Sequence, residues 1–252
     1  MSDLSRQAVR QRYLWIMGVT SGTGREQNIR DYLAAAGYRT CMGSYDELLQ
    51  AECERPIGIV LDISPHAADG WGLLLKIKGN AATRNIPVLP VFLSETGKVG
   101  GVFPVAGFFV TPTDSQYVAD RLAAFGLTED VETWDLQALL VTRSGDEGLA
   151  GTLTSIGYEV VNGYTGKEAM ALTSLHPKFL AFCSLQLPDM TAFELLEKFR
   201  LFPYSRNMPV FVLCKGEMKD GEKQALSREI AHLIRKKQLT EEEFLKYLPK
   251  RT

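Results

Sequence analysis

Short runs of continuous apolar residues alternate along the chain with segments whose apolar positions recur at helical spacing. In the N-terminal half the runs are Tyr13–Val19, Tyr38–Met42, Gly58–Asp62, Val88–Phe92 and Gly107–Val110. They are rich in β-branched and aromatic residues and do not alternate with polar ones, the pattern of strands covered on both faces of a parallel sheet. Between them lie amphipathic segments such as Glu26–Ala36, with Ile29, Leu33 and Ala36 on one face and Gly37 placed to cap the C-terminus. The C-terminal half repeats the scheme with strands at Ala138–Thr142, Tyr158–Val161, Phe179–Cys183, Val210–Leu213 and His232–Arg235. Its helices are predicted at Glu147–Ile156, Gly166–Leu175, Ala192–Phe199, Asp220–Glu229 and Glu241–Tyr247, the last with Thr240 and Glu243 at capping-box spacing. Five strands and five helices in each half predict two doubly wound α/β domains.

The halves are copies of one plan. Arg84-Asn85-Ile86-Pro87-Val88 recurs as Arg206-Asn207-Met208-Pro209-Val210, 122 residues later, and the same offset carries Asp62 onto Ser184. A period this long is a whole domain and lies outside the range of solenoid repeats. The predicted division is a first domain over 1–126 with a basic N-terminal segment over 1–12, an acidic linker over 127–136 and a second domain over 137–252.

Charge narrows the function. The first domain carries 12 basic and 12 acidic residues, the linker four acidic and none basic, and the second domain 16 basic and 14 acidic. Neither domain has the basic excess that binding to a nucleic-acid backbone uses, so nucleic acid is excluded as a partner. Cys41, Cys53, Cys183 and Cys214 show no C-x-x-C spacing, and none of His66, His176 and His232 stands at ligand spacing from a cysteine. No zinc site is therefore expected, and the thiols suit buried positions in a reducing compartment. With no signal-peptide core and no membrane-length apolar run, the expectation is a cytoplasmic protein without membrane insertion.

Several motifs resemble the receiver domains of two-component response regulators. In the first half these are Asp62-Ile63-Ser64-Pro65 followed by Asp69-Gly70-Trp71, Ile86-Pro87-Val88, and Gly107-Phe108-Phe109-Val110-Thr111-Pro112. In the second they are Gly157-Tyr158-Glu159-Val160, Leu187-Pro188-Asp189-Met190, Phe193-Glu194-Leu195-Leu196 and Met208-Pro209-Val210. The resemblance covers about residues 13–126 and 137–249, and the tandem looks like the paired receivers of hybrid sensor histidine kinases. It implies flavodoxin-like (βα)5 folds with parallel five-stranded sheets of order 2-1-3-4-5. It also implies a pocket in which an aspartate after the third strand accepts a phosphoryl group beside Mg²⁺, with an acidic pair, a hydroxyl and a lysine around it.

Both pockets depart from that pattern. In the first half Asp62 stands at the acceptor position with Gly70 eight residues on, but the first strand ends in Gly18-Val19-Thr20-Ser21 without an acid. The hydroxyl position falls on Phe92 and the lysine position on Thr111, leaving one carboxylate with no positive partner. Asp62 is then expected to be a strand-end residue, solvated or bonded to loop amides, since a lone carboxylate lacks the metal and preorganised charge of the reaction. In the second half Ser184 replaces the acceptor, Thr142 and Arg143 replace the acidic pair, Cys214 takes the hydroxyl position and Lys236, or Lys237 by a shift of one, the lysine position.

The resulting expectation is a tandem of degenerate receivers, called pseudo-receivers, with no enzyme activity, no cofactor, and Mg²⁺ binding absent or very weak. Partners implied by the resemblance are a histidine kinase or an output protein, and a homodimer is left open. Either a separate protein carries the output or the chain is a fragment of a larger signalling protein. One alternative keeps Asp62 as a phosphoacceptor in a phosphorelay. A second, dinucleotide-binding oxidoreductase reading comes from Gly18, Gly22 and Gly24, which have the G-x-x-x-G-x-G spacing of a pyrophosphate loop. No acid ends the second strand to hold a ribose, and no Tyr-x-x-x-Lys pair occurs in the chain. Gly22 and Gly24, or Arg143, would alternatively offer a site for a small anion or nucleotide. Gly97, Gly100, Gly101 and Pro104 break the segment between the fourth and fifth strands, so the helix there is expected to be short or missing.

Overall fold

The computed structural model describes residues 13–22, 24–51, 55–129, 136–234 and 244–248. In chain order its elements begin β1 (Tyr13–Met17), α1 (Arg25–Ala35), β2 (Arg39–Met42), α2 (Tyr45–Gln50), β3 (Gly58–Asp62), α3 (Gly70–Gly79), β4 (Val88–Leu93) and β5 (Val99–Val102). They continue β6 (Gly107–Thr111), α4 (Ser115–Ala124), β7 (Gln137–Val141), α5 (Glu147–Ile156), β8 (Glu159–Gly163) and α6 (Gly166–Leu175). Last come β9 (Leu180–Ser184), α7 (Ala192–Arg200), β10 (Val210–Lys215) and α8 (Asp220–Ile234). This is an α/β fold with two parallel-rich five-stranded sheets and alternating helices.

The compact units do not follow the two halves of the sequence. One consists of Met1–Pro104 with Lys223–Thr252, the other of Val105–Glu222. The chain thus divides at 104/105 and within α8, and not at the linker expected over 127–136, of which residues 130–135 lie outside the described set.

In the first unit the sheet order is β2-β1-β3-β4-β5. The first four strands are parallel, and β5 runs antiparallel to β4. The antiparallel edge corrects the expectation of an all-parallel sheet, and its cause is local. The Ser94 hydroxyl and carbonyl organise a turn with Lys98 and Gly97, and Gly97 takes a φ of +83° that favours glycine. The chain doubles back there, so the segment expected to lack a regular helix forms a strand. Buried Ile29 and Leu33 of α1 meet Leu14, Ile16, Val60, Val91 and Leu93 in one core, to which Phe244 and Leu248 also belong. From α8, Leu226 and Ile230 are buried, and Ile234 packs where Gly101 has no side chain. That i, i+4, i+8 ladder explains a second correction, since His232–Arg235, expected as a strand, continues α8 through Ile234. The predicted helix Glu241–Tyr247 falls mostly outside the described residues, as do Thr240 and Glu243.

In the second unit the sheet order is β6-β10-β9-β7-β8, all parallel. The expectation put Gly107–Val110 as the fifth strand of the first sheet; β6 instead pairs with β10 over Gly107 to Thr111. The order 2-1-3-4-5 is met by β1 to β5 of the first unit, but its fifth strand is the antiparallel β5 and not the Gly107–Val110 run expected there, and in the second unit the edge strand β6 precedes the other four in the chain. Side chains decide β6's place. Phe109 packs against Phe182 and Phe211 at ring-centroid distances of 5.5 and 5.7 Å, and α4 adds Tyr117, Val118 and Leu122 to the same core. A bond from Thr152 to Ser115 of 2.8 Å and one from the Tyr158 hydroxyl to the Leu127 carbonyl tie this segment to α5 and its following turn. Burial pushes the Tyr158 phenol up to about 12, so it remains a donor at any ordinary pH.

Candidate functional sites at the strand ends

Open α/β sheets gather functional groups at the carboxyl ends of their strands, and each unit has such a cluster. In the first unit it centres on Asp62, the last residue of β3. Two glycines let the backbone crowd there: a Cβ on Gly70 would lie 2.0 Å from the Asp62 carbonyl oxygen, and one on Gly18 would lie 2.6 Å from it. Asp62 is fully buried (0% exposed), which corrects the solvated branch of the expectation and leaves the branch in which it bonds backbone amides. One carboxylate oxygen accepts from the backbone N–H groups of Ser64, at 3.0 Å, and Leu93, at 3.3 Å. The other lies 2.7 Å from Nη2 of Arg25.

Arg25 also corrects the expectation that Asp62 lacks a positive partner. It is the first residue of α1, follows Gly24 in the left-handed conformation, and its side chain is 3% exposed. Its guanidinium donates to the Ser64 hydroxyl at 2.9 Å, the His66 carbonyl at 3.0 Å and the Ser94 carbonyl at 3.1 Å, as well as to Asp62. A planar five-donor fork engaged on this many oxygens is held in one geometry. Burial pushes the Asp62 carboxyl up from its ordinary value, and the Ser64 N–H and the Arg25 guanidinium offset that rise only in part. The shell fits a guanidinium and not a divalent cation, because its single carboxylate is already matched by a cation of the chain. Among the described residues no group of three or more His, Cys, Asp or Glu gathers in a way that could hold a metal ion.

Phe92, the expected hydroxyl position, lies on β4 opposite Gly101. Gly22 and Gly24 take φ of +79° and +72°, and Gly18 passes against Asp62. Each glycine of the G-x-x-x-G-x-G loop thus has a backbone reason to be glycine.

The second unit holds an open cavity of about 410 Å³. Thr111 from the end of β6, Thr142 and Arg143 after β7, Ser184 at the end of β9 and Lys215 at the end of β10 all line it. Thr111 was assigned by sequence to the first pocket; β6 carries it here, where its hydroxyl donates to the Cys214 carbonyl at 3.2 Å. Cys214 itself is buried within β10 and does not line the cavity, so Lys215, one residue on, takes the place expected of it. Lys236 and Lys237 lie outside the described residues. The Thr142 hydroxyl is buried and has no hydrogen-bond partner among the described residues. Arg143 and Lys215 are exposed and form no ion pair among the described residues. Nearby, Asp189 caps α6 by accepting from Gly166 and Lys167 at 2.8 and 3.0 Å. Partial burial pushes its carboxyl up, but these N–H groups outweigh that and hold it below its usual value.

Sequence reasoning missed Arg25 and Lys215. A signal existed for the first, because a base at the start of a helix opposes the helix dipole and needs a compensating charge. For Lys215, the length of β10 was the missing information.

No helix among the described residues is long and apolar enough to cross a membrane. No protein-family model matches the chain, and no curated protein matches it. Among solved structures, a candidate response regulator from Chloroflexus aurantiacus J-10-fl is 19% identical, with a TM-score of 0.29, over 40% of this chain and 98% of that one. A candidate two-component system response regulator/GGDEF domain protein is 13% identical with a TM-score of 0.28, over 88% of this chain and 99% of that one. Full-length ShkA in complex with AMPPNP is 18% identical with a TM-score of 0.27, over 88% of this chain and 51% of that one. The neighbours include two-component proteins, and at these scores the likeness carries no inference about this chain's activity.

Proposed function

We propose that the chain is a two-component-type signalling protein whose two receiver-like units act through protein-protein contact without phosphoryl transfer. The observation that carries this reading is the sealed Arg25–Asp62 pair. An acceptor must present a carboxylate oxygen to the donor and hold Mg²⁺ beside it, whereas both oxygens of Asp62 are buried and bonded to the chain itself. In the other unit the equivalent residue is Ser184, with no adjacent histidine in the sequence to activate it. Recognition then runs through constitutive surfaces, with a histidine kinase or an output protein as the partner class and the cytoplasm as the compartment. Incubation with acetyl phosphate and Mg²⁺, followed by intact-mass measurement, is expected to show no added phosphoryl group. An adduct mapped to Asp62 by peptide fragmentation, and absent from Asp62→Asn, would falsify the proposal.

A further inference from the structure

We propose that the cavity of the second unit is a binding site for the phosphate monoester of a small hydroxylated molecule, carried as a free ligand. The register places its groups on four neighbouring strands. Thr111 pairs with Lys215 across β6 and β10, Leu213 with Ser184 across β10 and β9, and Val141 with Cys183 across β7 and β9, which sets Thr142 level with Ser184. At about 4.8 Å between strands, this row spans roughly 14 Å.

The donors match a phosphate better than a carboxylate. Arg143 and Lys215 bring two positive charges to a lining that also holds Asp146 and Glu222; neither cation is ion-paired among the described residues, and a monoester carries close to two negative charges at neutral pH. The Ser184 and Thr142 hydroxyls add donors. The second has independent weight, because a buried hydroxyl without a partner costs stability unless something else satisfies it. The Thr111 hydroxyl, which donates to Cys214, still has lone pairs to accept from a ligand hydroxyl.

Size and lining define the rest of the ligand. About 410 Å³ is more than ten times a water molecule's share of the liquid, roughly 30 Å³, and leaves room for an organic body beyond the phosphate. Asp146 and Glu222 line the same cavity and supply acceptors for hydroxyl groups, while Leu213 and Met218 give it an apolar part. Among the described residues no aromatic side chain lines the cavity, so a nucleobase would find no ring there to stack on. A phosphorylated polyol or sugar fits this combination.

The test is calorimetric titration of the full chain with glycerol 3-phosphate and glucose 6-phosphate, alongside inorganic phosphate, succinate, glycerol and glucose. The esters are expected to bind, with inorganic phosphate and succinate at least about tenfold weaker and the neutral polyols silent. Arg143→Ala is expected to weaken ester binding by about 10- to 100-fold. Thr142→Val is expected to weaken it by about tenfold while raising the melting temperature of the unliganded chain, since it deletes an unsatisfied hydroxyl at nearly constant shape. A mere folding defect would lower that temperature. Silence with both esters, binding that survives both substitutions, or equal affinity for inorganic phosphate or succinate would each overturn the assignment. None of these readouts involves Asp62, so they succeed or fail independently of the function proposed above.

Discussion

The strand-end clusters of the two units solve one electrostatic problem in opposite ways. In the first, a single carboxylate is buried and its charge is met from within by Arg25. In the second, the position of the carboxylate is held by Ser184, and Arg143 and Lys215 face an open cavity. A buried ion pair is worth little more than apolar packing of the same volume, but removing either member strands a charge. The first cluster is therefore committed to structure, whereas the cations of the second share an open cavity with Asp146 and Glu222 and stay accessible to solvent. What separates the units is the place of positive charge, not the presence of Asp62.

The unit boundaries offer the largest effect by which to break this comparison. The fragment 105–222 carries β6 and α4 with the rest of its core, and it is expected to unfold cooperatively by circular dichroism and urea titration. The fragment 137–252 lacks Phe109, Tyr117, Val118 and Leu122, at about 2 kcal/mol or more for each lost apolar side chain, which exceeds what a domain of this size has to spare. A folded 137–252, or an unfolded 105–222, would mean that the units lie elsewhere.

Next in size is the sealed pair. Arg25→Met or Asp62→Leu alone is expected to cost about 3–5 kcal/mol, and the double replacement to lie closer to the parent than either single change. Urea unfolding of the four proteins measures this as a double-mutant cycle. Single losses below about 1 kcal/mol, the range of exposed pairs, would remove the contrast with the second unit.

The smallest effect sharpens the second unit's electrostatics. Asp189→Ala removes the acceptors of the first two α6 amides, leaving the Thr165 cap in place, and is expected to cost about 0.5–1 kcal/mol at neutral pH, a figure kept low by the exposure of Asp189. Because the folded-state pKa of Asp189 is depressed, its contribution is complete above the unfolded value near 4 and lost as pH falls through the folded value. Stability curves of parent and variant should converge as pH is lowered toward 3. A gap that stays constant with pH would show that the carboxylate charge plays no part.

Much of the fold was legible because strands covered on both faces write continuous apolar runs, and Gly58–Asp62 and Glu147–Ile156 were read to the residue. What periodicity does not carry is pairing. The run at Gly107 announces a strand without saying which sheet it joins, and that choice rests on Phe109 fitting beside Phe182 and Phe211. His232 was read as a strand by analogy with the repeat, against a helical ladder of Leu226, Ile230 and Ile234 visible in the sequence itself. At the sites, single-strand register was enough to find Asp62, Ser184 and Arg143. Arg25 and Lys215 required knowing how far an arginine side chain reaches across a loop and where a strand stops.

The discontinuous first unit also has a consequence in time. A ribosome that has delivered the strands β1 to β5 must add the 118 residues of the other unit before Lys223 and the segment beyond it emerge. At roughly 5–20 residues per second, the stretch that ends at Pro104 waits about 7–28 s for Phe244, 140 residues further along the chain, to complete its core. The unit written second can close before the unit written first, so the older stretch of nascent chain is the one exposed longest to chaperones and proteases.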